Sequence, residues 1–152
     1  MGLIGGGRAS ALLLEDALGS YVHRLFVATI VCSHASCERE LAGRLEATTQ
    51  PVPKGSERWG LGALLSHAEK HEWYSQPTLD ALRKLNARRK DLYHFSGQGM
   101  GALFERTYAQ LQWRGKHHIR EDTLTILRGE ALEALDTALA IRREELESAG
   151  FS

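Results

Sequence analysis

Strand signals are nearly absent from this chain, and that limits its fold more than any other feature. Its three prolines all fall between Pro51 and Pro77. Outside that window apolar residues recur at helical spacing between glycine-rich joints. A first helical region is expected from about Ala9 to Ala47, with a bend at Gly19-Ser20. Within it Tyr21, Leu25, Ala28, Cys32 and Ala35 form one continuous face. Leu25 to Cys32 is apolar all round, which predicts the buried centre of a bundle. It is far too short to span a bilayer. Thr48 to Lys54, with Pro51 and Pro53, reads as a loop, after which Ser56 is expected to cap a helix carrying Trp59, Leu61, Leu64, Leu65 and Ala68 and ending near Glu72. Ser75 or Gln76 ahead of Pro77 restarts the chain as a third helix, because proline suits a first turn. That helix turns Leu79, Leu82, Leu85 and Leu92 inward and ends by Phe95. Beyond the glycines of Ser96 to Gly101, a shorter helix is expected from Ala102 to about Trp113. Asp122 then caps a last helix with Leu124, Leu127, Ala131, Leu135, Ala138, Leu139 and Leu146, with Gly129 its weak point. The fold class this predicts is all-α, a bundle of four or five helices.

A chain of 152 residues can bury a core without staples, so one domain is expected over residues 9–152, with 1–8 as a flexible lead-in or cloning remnant. Nineteen basic residues balance nineteen acidic ones, so no global field draws the protein onto nucleic acid and any such binding must be local. The start, Met-Gly-Leu-Ile-Gly-Gly-Gly-Arg, has neither a signal-peptide nor a myristoylation pattern. Cys32 and Cys37 lie roughly 7.5 Å apart along a helix axis and about 140° apart around it, too divergent to bridge. Reduced thiols and a cytoplasmic location are the expectation.

The chemistry concentrates in the third helix. Arg83, Lys84, Arg88, Arg89 and Lys90 place five cations within eight residues, and only Asp80 and Asp91 offset them locally. The run ends at Tyr93-His94, with four residues between Arg89 and His94. A guanidinium neutralises a phosphodiester in a planar fork, and an imidazole can take or give a proton near neutral pH. On an ideal helix Arg89 and His94 diverge by about 140°, so a shared site needs His94 at a helix end or a wide cleft.

The segment Arg89-Lys90-Asp91-Leu92-Tyr93-His94 resembles the signature of the HEPN superfamily (higher eukaryotes and prokaryotes nucleotide-binding domains). That signature is an arginine, four to six residues, then a histidine, at the end of the third core helix; Arg88 is the alternative first member. Leu85-Asn86 and the run Ala35-Ser36-Cys37-Glu38-Arg39-Glu40-Leu41 are similar to family usage. The residue after the arginine, often Asn, Asp or His in the family, is Lys90 here. The resemblance implies a four-to-five-helix bundle that pairs as a homodimer and cuts RNA without a metal or other cofactor. His94 would then act on the ribose 2′-hydroxyl or the leaving oxygen, and Arg89 would hold the scissile phosphate. Products would carry a 2′,3′-cyclic phosphate and a 5′-hydroxyl. Arg88 and Lys90 would bind flanking phosphates together with Arg83 and Lys84, and Tyr93 could stack on a base. Glu38 is expected to pair with Arg88 or Arg89 and orient the guanidinium, with Asn86 supporting. Toxin or defence roles, a cognate antitoxin and a nucleotidyltransferase-like partner all fit such families. A non-catalytic binding or assembly module is the main alternative.

A third reading rests on His67 and His71, four apart on one helix, which could clasp a metal with Glu72, His117 or His118 completing the shell. Ala68 stands where a zincin glutamate would be, so the spacing is not that motif. The two cysteines read as buried small hydrophobes, and Trp59, Trp73 and Trp113 as core or dimer aromatics.

Overall fold

The first apolar stretch folds as two antiparallel helices instead of one bent helix. In a computed structural model that describes residues 6–93 and 119–150, α1 spans Gly7–Val22 and α2 spans Phe26–Thr48. The stop between them is a Schellman turn. Leu25 N–H reaches back to Ser20 O and Arg24 N–H to Tyr21 O, with Arg24 at φ 60°. An arginine therefore stands in the left-handed position that glycine usually fills, and no glycine marked the break. Gly19, three residues before the helix end, stays helical.

A connection with a 3-10 turn at Ser56–Arg58 leads to α3, Leu61–Lys70. Gly60, not Ser56, is the N-cap of α3. Its C-terminus is a second Schellman turn on a non-glycine residue: Trp73 N–H meets Ala68 O, and Glu72 has φ 51°. Helix α4 spans Gln76–Tyr93 and α5 spans Ile119–Ser148. Asp122 lies inside α5 instead of capping it, and the helix runs through Gly129 unbroken. The sequence-predicted helix at 102–113 lies outside the described residues.

Among the described residues helix α2 is the centre, packed against each of the other four helices. Its core side is Phe26, Ile30, Cys37, Leu41 and Leu45, which meet Leu61, Leu64 and Ala68 of α3, Leu79, Leu82 and Leu85 of α4, and Ala131, Ala138 and Ile141 of α5. Each fully buried leucine contributes about 1.5–3 kcal/mol. The expected face Tyr21-Leu25-Ala28-Cys32-Ala35 is not this side, because the reversal at 23–25 destroys the helical phase between Tyr21 and α2. Leu25 is 57% exposed and Val27 48%, so the apolar run is buried on one side only. Leu124 and Leu139 are likewise exposed, while Ala134 and Ile141 take inward positions.

Polar residues lock the helices in place. Glu40 is buried, and its carboxylate accepts the Gly6 N–H (2.7 Å), the Ser10 hydroxyl (2.7 Å) and the Arg142 guanidinium (2.6 Å). Residue 6 is thus tied to α2, and α1 begins at Gly7, ahead of the expected Ala9. A Cβ on Gly6 would lie 2.7 Å from the Arg39 carbonyl carbon, so only glycine lets the chain approach α2 this closely. Glu145 accepts Tyr74 Oη (2.5 Å) and Arg44 Nη1 (2.9 Å). Glu144 accepts the Ser75 N–H and hydroxyl and the Thr78 hydroxyl, capping the start of α4 from α5. A carboxylate there also complements the positive end of the helix dipole. None of the helices in the described residues is long and apolar enough to cross a membrane.

Candidate functional site

Helix α4 carries the Arg-to-His run at its C-terminal end, and its inward stripe sets where each residue falls. Leu82 and Leu85 are buried, and Arg89 follows them by seven and four. Those offsets put the Cα of Arg89 on the side of α4 that holds the core leucines. The described portion of α4 includes Arg89, Lys90 and Tyr93 as helical backbone. Their side chains, and His94 as a whole, lie outside what the structure describes.

One turn earlier three helices converge. Glu38 of α2 accepts the Leu61 N–H through Oε2 at 3.0 Å, satisfying a free donor in the first turn of α3. The adjacent Gly62 faces Asn86 of α4: a Cβ at 62 would come within 3.2 Å of Asn86 Nδ2. Glu38 and Asn86, singled out separately in the sequence, therefore both border the start of α3. Glu38 also borders a cleft of about 660 Å³ between α2 and the 49–60 connection, shared with Arg39, Lys54 and Trp59.

The remaining cations go elsewhere. Arg88 is rotated about 100° from Arg89 and turns to α5, where Nε meets Glu130 Oε2 at 2.5 Å and Nη2 meets Glu133 Oε2 at 2.7 Å. Of the two partners expected for Glu38, Arg88 therefore meets two acids of α5, and the Arg89 side chain lies outside the described residues. Arg83 pairs with Glu69 at 2.7 Å and with Asp80, so its charge is also offset. Lys84 is exposed and lines a groove of about 430 Å³ between α4 and α5 with Arg88, Arg143, Asp80, Glu133 and Asp136. The described part of the cation run is close to neutral.

His67 and His71 do lie on one side of α3, with ring centroids 4.3 Å apart. The environment is aromatic: Trp73 meets the His67 ring edge-on at 5.1 Å and Trp59 lies 5.8 Å from it. Trp73 follows the left-handed Glu72, so its contact with His67 is the side-chain packing that accompanies a Schellman stop. Desolvation, then the charges of His71 and Lys70, lower the His67 pKa. Among the described residues no group of three or more His, Cys, Asp or Glu is arranged to hold a metal ion; His117 and His118 fall outside them. Both cysteines are free, and burial pushes the Cys37 thiol well up. Trp59 and Trp73 are partly buried against the core, and Trp113 lies outside the described residues.

Sequence reasoning missed Glu40. It marked Glu38 as the acid following the buried run, yet Glu40 is the carboxylate sealed inside. Its partners Gly6, Ser10 and Arg142 lie 34, 30 and 102 residues away, and no local pattern announces them. Compared with protein-family models, curated proteins and solved structures, the chain matches none.

Proposed function

We propose that this chain is a HEPN-like domain that binds RNA at the C-terminal end of α4 and cleaves it without a metal. The observation that carries this reading is the convergence of Glu38, the start of α3 and Asn86 one turn before Arg89, whose Cα shares the helix side of Leu82 and Leu85. An arginine at that register follows a structured polar junction by one helical turn. Arg88 is already engaged by Glu130 and Glu133, which favours Arg89 as the working arginine.

In this reaction the 2′-oxygen attacks phosphorus as the bond to the 5′-oxygen breaks. His94 takes the 2′-hydroxyl proton, or supplies one to the departing oxygen. Arg89 holds the non-bridging oxygens as charge builds on them. One Arg-His set offers a single titrating group, so a two-fold homodimer would supply both the base and the acid. Purified protein should therefore scatter light as a dimer and cut single-stranded RNA in EDTA, leaving 2′,3′-cyclic phosphate ends. His94→Ala and Arg89→Ala should each lose cleavage with helicity intact. A monomer at micromolar concentration, or cleavage equal in wild type and His94→Ala, would overturn the reading.

Two observations favour a second reading, a non-catalytic assembly module. Arg83 and Arg88 are held in intramolecular ion pairs. Val22, Leu25 and Val27 expose apolar surface around the α1–α2 turn, of the kind that partners cover. Wild-type protein that cuts no RNA would put this reading ahead.

A further inference from the structure

We propose that His67 and His71 form a two-histidine chelate for a divalent transition metal of tetragonal preference, copper(II) or nickel(II), at the C-terminal end of α3. The site is independent of the RNA reading and takes no part in the proposed cleavage. Its geometry is set by the two ring centroids, which lie 4.3 Å apart. With a metal–nitrogen bond of about 2.0 Å, a metal in the ring plane stands about 3.2 Å from each centroid. Centroids at the observed 4.3 Å then subtend about 85° at that metal. That is close to the cis angle of a square-planar or octahedral ion. A tetrahedral ion such as zinc would need the centroids about 5.2 Å apart. The second torsion of a histidine side chain is soft, so exposed His71 can aim a nitrogen at the shared point.

The scaffold holds the pair in place before any metal arrives. Leu64, Leu65 and Ala68 anchor α3 in the core. The His71 N–H still bonds the His67 carbonyl at 3.1 Å, so the one-turn spacing is kept to the helix end. Trp73 meets the His67 ring edge-on at 5.1 Å and Trp59 lies 5.8 Å from it, which restrains the orientation of that ring. His67 Nε2 lies 3.5 Å from Thr49 Oγ1. That contact suits Nε2 as the outward N–H and Nδ1 as the metal donor, since ligating histidines commonly give their second nitrogen to an orienting partner. Packing against Trp73 accounts for His67 but not for His71, whose exposed ring lies closer to His67 than to Trp73, 6.2 Å away. Among the described residues no third His, Cys, Asp or Glu joins the pair, so water completes the coordination. Lys70 lies between the two histidines in sequence, and its charge opposes a bound cation.

The test titrates copper(II) into the full chain and follows tryptophan fluorescence, which a paramagnetic ion bound beside Trp73 and Trp59 quenches. His71→Ala changes an exposed side chain, so its helical circular dichroism should match wild type. It should nevertheless weaken copper(II) binding about tenfold or more. His117→Ala combined with His118→Ala, outside the described residues, should leave the titration as in wild type. Electron paramagnetic resonance of the copper-loaded protein should show an axial signal with nitrogen couplings from two imidazoles, reduced to one in His71→Ala. Nickel(II) should bind at least as tightly as zinc(II), because a cis angle near 90° suits the first and not the second. Absence of quenching in wild type, equal titrations in wild type and His71→Ala, or quenching lost with His117 and His118 would each overturn the proposal. Zinc(II) binding tighter than nickel(II) would also overturn it, since the centroid spacing would then not set the coordination.

Discussion

Glu40→Ala should be among the most damaging single changes outside the apolar core. Three groups converge on this carboxylate: the Gly6 N–H at 2.7 Å, the Ser10 hydroxyl at 2.7 Å and Arg142 Nη1 at 2.6 Å. Hydrogen bonds to a charged group contribute about 1.5–3 kcal/mol each, and breaking a buried ion pair costs about 3–5 kcal/mol. Relief comes from two sides. Ser10 keeps its hydrogen bonds with Ser36, and the Arg142 side chain, 24% exposed, can turn to water. The expected loss is therefore near the bottom of the range, about 3 kcal/mol in urea unfolding followed by helical circular dichroism. Glu40→Gln keeps the shape and loses the charge, and should cost roughly half as much. A double-mutant cycle with Arg142→Ala separates the pair from its surroundings, and a coupling above about 1 kcal/mol is expected for groups in direct contact. A loss below about 1 kcal/mol for Glu40→Ala, or no coupling, would refute the reasoning that this carboxylate ties α1, α2 and α5 together.

Other outcomes follow from the same physics. Arg24→Gly should stabilise the fold by about 0.5–1 kcal/mol, because an L-residue in the left-handed region costs more than the added chain entropy of glycine; a lower urea midpoint would contradict the Schellman assignment. Leu82→Ala should cost about 2–5 kcal/mol, since the side chain is fully buried between α4 and the core. Burial opposes the charge of Glu144, but the Thr78 and Ser75 hydroxyls and the Ser75 N–H hold its carboxyl below the ordinary 4.5. A depressed folded value gives stability that is complete above the ordinary value and lost as pH falls through the folded one. Glu144→Gln should therefore flatten the acid limb of the unfolding curve below pH 4.5, and an unchanged limb would count against the cap.

The all-helical class was legible because the apolar residues of α3, α4 and much of α5 keep their phase from end to end. Leu61, Leu64, Leu65 and Ala68, like Leu79, Leu82 and Leu85, point where their spacing says. The sequence failed where a helix stops on a residue that does not look like a stop. Arg24 and Glu72 both adopt positive φ, and neither is a glycine or asparagine. Their turns are held by backbone hydrogen bonds and, after Glu72, by Trp73 packing on His67, which only the tertiary structure supplies. The first stop breaks the helical phase between Tyr21 and α2, and the run Leu25 to Cys32 is buried on one side instead of all round.

The same limit governs the candidate site. Spacing can bring Arg89 to a side of α4, because periodicity along one helix is local. It cannot say which acid on another helix each cation meets. Arg88 or Arg89 is the partner expected for Glu38; Arg88 lies a sixth of a turn off the Leu85 line and meets Glu130 and Glu133 of α5. Glu38 accepts the Leu61 N–H at the start of α3, two residues before the Glu40 that ties α1 to α5. Two acids of one α2 segment thus serve different neighbours, one at the start of α3 and one sealed in the bundle. If α4 cleaves RNA as proposed, a substitution at Glu38 should lower cleavage with little loss of stability, and one at Glu40 should do the reverse. Comparing the two in the same cleavage and unfolding assays would separate the site from the scaffold that carries it.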